Sequence, residues 1–335
     1  MSGILLAHGS GGKLTHELIS ETILPKLGNP ILSKLTDSAI LPFEGGSIAF
    51  TTDSYVVKPI FFPGGDIGKL AVCGTVNDLS VCGAVPRYIS CSLIIEEGFE
   101  MADLERVLRS MAEAAEEAGV EVVTGDTKVV ERGGADGIFI NTAGVGFVPK
   151  GVKLGLERIE PGDLILINGP IGEHGIAILS VREGMEFEVG IESDCAPLNG
   201  LIKTLLDELG EAVKFMRDPT RGGVATTLKE MSEGTGLGVE VDETAIPVSE
   251  PVRAACEILG LDPLYVANEG KVIAVVDPKR ADEAVELMRR HPLGREASII
   301  GSFTEDHPGR VYLRTEIGSR RIIEMLMGEQ LPRIC

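Results

Sequence analysis

The chain has 335 residues, 44% apolar and 24% charged, a composition suited to two folded domains with a large buried core. Its net charge of −20 repels phosphate backbones and anionic membranes, and with aromatics at 4% and no Trp, stacking on single-stranded nucleic acid is disfavoured too. No run of about 18 apolar residues occurs and the N-terminus lacks a basic-then-apolar leader, so neither a membrane span nor secretion is expected, which leaves the cytoplasm as the expected location.

Residues His8-Gly9-Ser10-Gly11-Gly12-Lys13 open the chain as a Gly-rich lead. Its likeness to a P-loop is superficial, because Ala7 stands where that motif needs Gly and Leu14 where it needs Ser or Thr. It reads as a disordered leader or as a lid whose backbone N–H groups fold over phosphates. A helix is expected over 15–26, then a strand over 47–52 ending in Asp53. Residues 67–83 are apolar and small, the pattern of a buried helix, interrupted by Asn77 and Asp78. A strand over 88–95, an amphipathic helix over 101–118, and strands over 120–130 and 137–148 complete this half.

Residues 150–161 read as the joint, and Glu160-Pro161-Gly162-Asp163 as a turn. Beyond it, helices are expected near 174–184, 198–209, 222–234, 249–259 and 279–290, with strands near 164–168, 237–241, 271–276, 298–303 and 310–314. Alternating helices and strands imply an α/β or mixed α+β class. The division expected is 1–40 as a flexible lead and helix, 41–150 as a first domain, 151–328 as a second, and 329–335 as a mobile tail.

The six cysteines contain no C-x-x-C pair and are too dispersed for a disulfide framework, so a zinc site is poorly supported. Five sit in apolar segments as small core residues. Cys335 is different: it ends the chain behind Pro332. Residues 328–335 can span at most about 27 Å, enough to carry one sulfur into a cleft. Taken alone, the tail is either such an arm or a frayed terminus.

Asp37, Asp53, Asp78 and Asp126 are acidic positions in loops, at strand ends or in the apolar helix. Each alone can be a turn or cap residue; together they suit Mg²⁺, which takes oxygen ligands and bridges polyphosphate oxygens. Arg217-Asp218-Pro219-Thr220-Arg221-Gly222-Gly223 is either a helix start or an anion site, with N–H groups freed by Gly222 and Gly223 and two arginines beside them. Glu269 lies between apolar stretches and is either a turn residue or a base with a raised pKa. Lys128 follows Asp126 and is solvated or faces phosphate. His174 reads as a helix N-terminal residue.

These motifs in this order, His8 to Gly12, Phe50-Thr51-Thr52-Asp53-Ser54, Asn77-Asp78, Gly125-Asp126-Thr127-Lys128, Arg217 to Gly223, Asn268-Glu269-Gly270 and Pro332-Arg333-Ile334-Cys335, resemble the HypE family of hydrogenase maturation proteins across the whole chain. The Thr-Thr-Asp, Asn-Asp and Gly-Asp elements also resemble the wider group of aminoimidazole ribonucleotide synthetases, thiamine-phosphate kinases and selenophosphate synthetases.

The resemblance implies a two-domain aminoimidazole ribonucleotide synthetase-like fold whose N-terminal domain builds a β-barrel across a homodimer. It implies ATP and Mg²⁺ as cofactors, with Asp37, Asp53, Asp78 and Asp126 on the metal and Gly9, Ser10, Gly11, Gly12, Thr52, Asn77, Asp218, Arg221, Gly222 and Gly223 at the nucleotide. Cys335 would take a carbamoyl group from the HypF carbamoyltransferase, and the enzyme would dehydrate it to a thiocyanate. The cyanide would pass to iron on a HypC–HypD scaffold, destined for a [NiFe] hydrogenase. Glu269 would be the base and Lys128 would sit by the phosphoryl group. The alternatives are a ligase or kinase of the same superfold acting on a small molecule, or a nucleotide-binding scaffold whose tail docks partners.

Overall fold

A computed structural model of the chain describes all residues except 1–4, 6, 7, 9–11, 28, 44, 45, 186–189, 327, 329, 330 and 332. Gly9, Ser10 and Gly11 of the predicted lid, and Pro332, therefore lie outside the described residues. A helical stretch, α1 (Lys13–Leu18) and α2 (Leu24–Leu27) around a π turn at Ile19–Ile23, leads to β1 (Ala39–Phe43) and β2 (Gly46–Tyr55). The hairpin β3 (Phe61–Phe62) and β4 (Gly65–Asp66) precedes α3 (Ile67–Val81), β5 (Val85–Glu96), α4 (Met101–Ala118), β6 (Glu121–Val130) and β7 (Ile138–Val148).

The larger strands of this half form one sheet in the order β1-β2-β7-β5-β6, antiparallel except where β5 meets β6. Asp66 starts α3 by accepting the N–H groups of Gly68 and Lys69, satisfying donors that a helix start leaves free. The helix is apolar nearly all round because it is buried nearly all round, packed with α4 against the sheet. Asn77 and Asp78 do not interrupt it, since partners supplied by other elements offset the cost of burying them. α4 buries only Val107, Met111, Ala114, Ala115 and Ala118, and ends at Gly119 with φ +67°.

The second half contains β8 (Leu164–Ile167), α5 (Glu173–Glu183), α6 (Asn199–Leu209), β9 (Val213–Arg217), α7 (Gly223–Thr235), β10 (Gly238–Asp242), α8 (Glu250–Leu259), β11 (Ile273–Val276), α9 (Ala281–Arg290), β12 (Ser298–Thr304), β13 (Val311–Arg314) and β14 (Arg320–Ile323). Its mixed sheet runs β14-β13-β10-β12-β8-β11-β9. Successive residues of β8 serve opposite faces: Ile165 and Ile167 pack toward α7, and Leu166 toward α6 and α9. The chain is thus a two-part α/β fold with two mixed sheets.

The strands β1, β3, β4, β9 and β14 were not expected from the sequence. In β9, Lys214 hides a buried strand: it is 7% exposed, and its ammonium is paired with Asp163 at 2.9 Å and Glu160 at 2.6 Å. Among the described residues, no helix is long and apolar enough to cross a membrane.

Candidate active site

The two halves meet at a cleft of about 270 Å³. The first half lines it with Asp37 from the turn before β1, Thr51, Thr52 and Asp53 from β2, and Gly74 and Asp78 from α3. The second half contributes Arg217 at the end of β9 and Asp218 just after it, Thr220 and Arg221 before α7, Thr226, Thr227 and Glu230 on α7, and Glu269 before β11. Cys335 from the end of the chain lines it too. Gly74 is required by close packing, because a Cβ there would stand 2.4 Å from the Tyr55 hydroxyl oxygen.

The cleft concentrates acid. Burial, then the charges of Asp218, Asp37 and Asp53, raise the Asp78 pKa well above the usual carboxylate range, although the Thr51 hydroxyl donates to it at 2.8 Å. Burial and Asp37 push Asp218 up to about 7. Asp37 is raised by burial and opposed by Arg217, whose guanidinium lies 3.2 Å from Asp37 and 2.9 Å from Glu230. Burial raises Glu269 well above its ordinary value, and the neighbouring acidic groups add to it. Among the described residues, neither Glu269 Oε1 nor Thr226 Oγ1 has a hydrogen-bond partner, though both are buried. Buried polar atoms without partners are costly, and here both belong to residues lining the cleft, as atoms awaiting a ligand would.

The donor set is all oxygen, which suits a hard cation. Among the described residues no group of three or more His, Cys, Asp and Glu side chains is arranged to hold a metal ion by itself. That arrangement still fits Mg²⁺, which commonly uses one or two carboxylates and completes its shell with phosphate oxygens and water.

Cys335 is reached by an arm laid into the cleft. Val56 N–H donates to Cys335 O and Lys58 N–H to Arg333 O, both at 3.2 Å, an antiparallel register that continues beyond β2. The sulfur is 2.9 Å from Arg221 Nε. Burial pushes the thiol up to about 12 despite the guanidinium, which pulls the other way.

Of the predicted site residues, Asp37, Thr52, Asp53, Asp78, Asp218, Arg221, Glu269 and Cys335 converge here. Others do not. Asn77 does not line the cleft; its amide is spent on Ala196 O, Glu269 O and Leu198 N–H, tying α3 to the second half. Gly222 and Gly223 shape the turn into α7 with φ +75° and +61°, and a Cβ on Gly223 would strike Leu264 O at 2.5 Å. Gly12 packs against the backbone of Leu326, where a Cβ would lie 2.3 Å from its oxygen. Asp126 and Lys128 stand exposed in the middle of the edge strand β6, paired with each other at 2.5 Å and away from the cleft of their own chain. Arg221, expected at an anion, contacts the sulfur.

Thr226, Thr227 and Glu230 escaped the sequence reading. Their signal was the i, i+4 spacing of Thr226 and Glu230 on a helix otherwise buried on that side.

Residues 35–148 match the family described as "AIR synthase related protein, N-terminal domain", and residues 160–314 match its "C-terminal domain". "Carbamoyl dehydratase HypE" of Azotobacter vinelandii is 52% identical over 330 residues, 98% of this chain and 96% of that protein. The solved "HypE-HypF complex" contains a chain of TM-score 0.88 and 49% identity, aligned over 92% of this chain and 99% of that one. A "Hydrogenase Maturation Protein HypE in complex with ATP" aligns over 99% of this chain and 100% of that one, with TM-score 0.84 and 50% identity. With the fold, the acidic cleft and the terminal thiol in hand, these likenesses mean that the chain belongs to the HypE family of AIR synthase related proteins, the carbamoyl dehydratases of hydrogenase maturation.

Proposed function

We propose that this protein dehydrates an S-carbamoyl group on Cys335 to a thiocyanate, using ATP, to supply cyanide for the iron of a [NiFe] hydrogenase. One observation carries the reading: the sulfur of the last residue lies in the same cleft as Asp53, Asp78, Asp218 and Glu269. The balanced reaction takes Cys335–S–C(=O)–NH₂ and ATP to Cys335–S–C≡N, ADP and phosphate. ATP with Mg²⁺ supplies the activation that turns the amide oxygen into a leaving group. Asp37, Asp53 and Asp78 are the residues of this chain suited to hold the cation.

The protein's own groups do the rest. Two N–H protons must leave: Glu269 is placed to accept one, its proton affinity lifted by burial as a base for so weak an acid requires, and the departing phosphate can carry the other. Arg221 holds the sulfur. Thr226 Oγ1, lacking a partner among the described residues, is free to bond the incoming ligand. The burial that keeps water from the reacting group also makes the docked thiol a poor nucleophile, so loading by a HypF-type carbamoyltransferase requires the arm outside. Arm positions in and out follow, with the boundaries 1–40, 41–150, 151–328 and 329–335 as the working units.

The protein is proposed to work in the cytoplasm as a homodimer that delivers cyanide to a HypC–HypD scaffold. Phe50, Tyr88, Ile94, Val122, Val123, Val129 and Phe147 are exposed on the first sheet, and a second copy closing that sheet into a barrel would cover such a surface. Asp126 and Lys128 lie on the uncovered strand, where only a neighbouring copy offers them a cleft.

Intact-mass measurement with carbamoyl donor, transferase and MgATP tests the reading. The chain should gain one carbamoyl group and then lose one water, and Cys335→Ser should do neither. Glu269→Gln should load normally and lose its water at least about a hundredfold more slowly, the lower range for a lost general base. A mass that never changes would sink the reading, and a normal rate in Glu269→Gln would remove the base.

A further inference from the structure

The arm is gripped by more than backbone pairing, and the grip comes from both halves of the protein. On the second half, His174 is fully buried at the start of α5, with Nε2 2.8 Å from Ile334 O and Nδ1 2.8 Å from Ser193 Oγ. A carbonyl can only accept, so Nε2 carries the proton and Nδ1 accepts from Ser193. Ser193 Oγ in turn accepts the Cys195 N–H at 3.1 Å, which fixes the chain of donors in one direction. Arg182 donates to Arg333 O at 3.0 Å.

On the first half, Asp136 in the β6–β7 loop is ion-paired with Arg333 and takes Lys58 Nζ at 2.7 Å. Arg333 Nε also donates to Val56 O at 2.8 Å. None of His174, Ser193 and Asp136 lines the cleft. They hold the two residues before the thiol, one from each side.

We propose that His174 and Asp136 are positioning residues that set the register of the terminal arm, so that the residue delivered to Arg221 and Glu269 is Cys335. The arm is not a regular strand, since Arg333 turns it with φ +51°. A slip of one residue along it would still carry the sulfur by up to about 3.3 Å, which takes it off Arg221. Every residue carries a carbonyl, so the His174 bond to Ile334 O holds the arm at one depth, and the charge at position 333, met by Asp136, picks the register. The proposal rests on the reading of Cys335 as the group that carries the substrate.

The test compares Cys335 alkylation by iodoacetamide with single-turnover loss of water from pre-carbamoylated protein. Asp136→Asn and His174→Met should each raise the alkylation rate about tenfold, the factor set by one hydrogen bond of ordinary net strength, and slow water loss by a similar factor. MgATP affinity should not move. His174→Gln, which can both donate to Ile334 and accept from Ser193, should restore both rates toward the parent. So should the exchanged pair Asp136→Arg with Arg333→Asp, relative to either single change. Parental alkylation in both Asp136→Asn and His174→Met overturns the proposal, as does failure of His174→Gln to differ from His174→Met in a protein with unchanged thermal unfolding. Absence of water loss in the parent protein strikes the functional reading instead, and the alkylation rates still decide the grip.

Discussion

The two sheets solve the same packing problem differently. In the second sheet, β11 is buried along its whole length, and Ile273, Ala274, Val275 and Val276 are all at 0% exposure because α7 covers one face and α6 with α9 the other. In the first sheet, α3 and α4 cover one face only. Its edge strand β6 is exposed at nearly every position, with Val129 at 68%. The second sheet is a finished core, while the first is half of one. A strand rich in valine and open to water is a surface that the proposed second copy would cover.

Val275→Asp should have the largest effect, a loss of at least about 4 kcal/mol, because an unpaired carboxylate would enter a closed core; near-parental denaturant unfolding would show that this sheet is not the finished one. Next in size is a complementation test of the open sheet. Lys128→Ala and Glu269→Gln proteins, each slowed on its own, should regain part of the dehydration rate when mixed, since one cleft of the proposed dimer would draw Glu269 from one copy and Lys128 from the other. No recovery, in mixtures shown to exchange subunits, would confine Lys128 to its own chain or to no role.

A smaller effect concerns the seam between the halves. Burial and Asp37 hold Asp218 up to about 7, so the folded ligand-free protein keeps a proton that the unfolded chain has released. That contribution is fully present below about pH 4 and is lost as pH rises through about 7. The melting temperature without nucleotide should therefore fall between pH 5 and 8, and Asp218→Asn should flatten the slope; an unchanged slope in that variant would assign the effect elsewhere. Smallest of all, Val129→Asp should alter monomer stability by no more than about 0.5 kcal/mol while shifting sedimentation toward the monomer. Unfolding of the monomer by that change would mean that β6 is already part of a core.

Periodicity exposed the elements with one strong pattern. The apolar run at 67–83 became α3 and the 3–4 spacing at 101–118 became α4, because each segment's burial was written in its own side chains. β9 was missed since Lys214 looks solvated until Asp163 is brought to it from far along the chain. Asp37, Asp53, Asp78, Asp218, Glu269 and Cys335 were legible as chemistry without a stated place. Asn77, Gly12, Gly222 and Gly223 were legible as special positions, and the structure adds the close packing, turns and hydrogen bonds each one serves.

By itself the sequence determined the α/β class, the acidity, and the family to which the ordered motifs point, since these depend on local patterning and residue identity. Only the tertiary structure decided which acids meet, that Arg221 faces sulfur, that Asp126 and Lys128 stand apart from their own cleft, and that His174 and Asp136 close on the arm. Those facts depend on distances between residues that in several cases lie more than 100 positions apart in the chain, as His174 and Ile334 do. No local propensity encodes such a distance; the packing of the two sheets around α3 does.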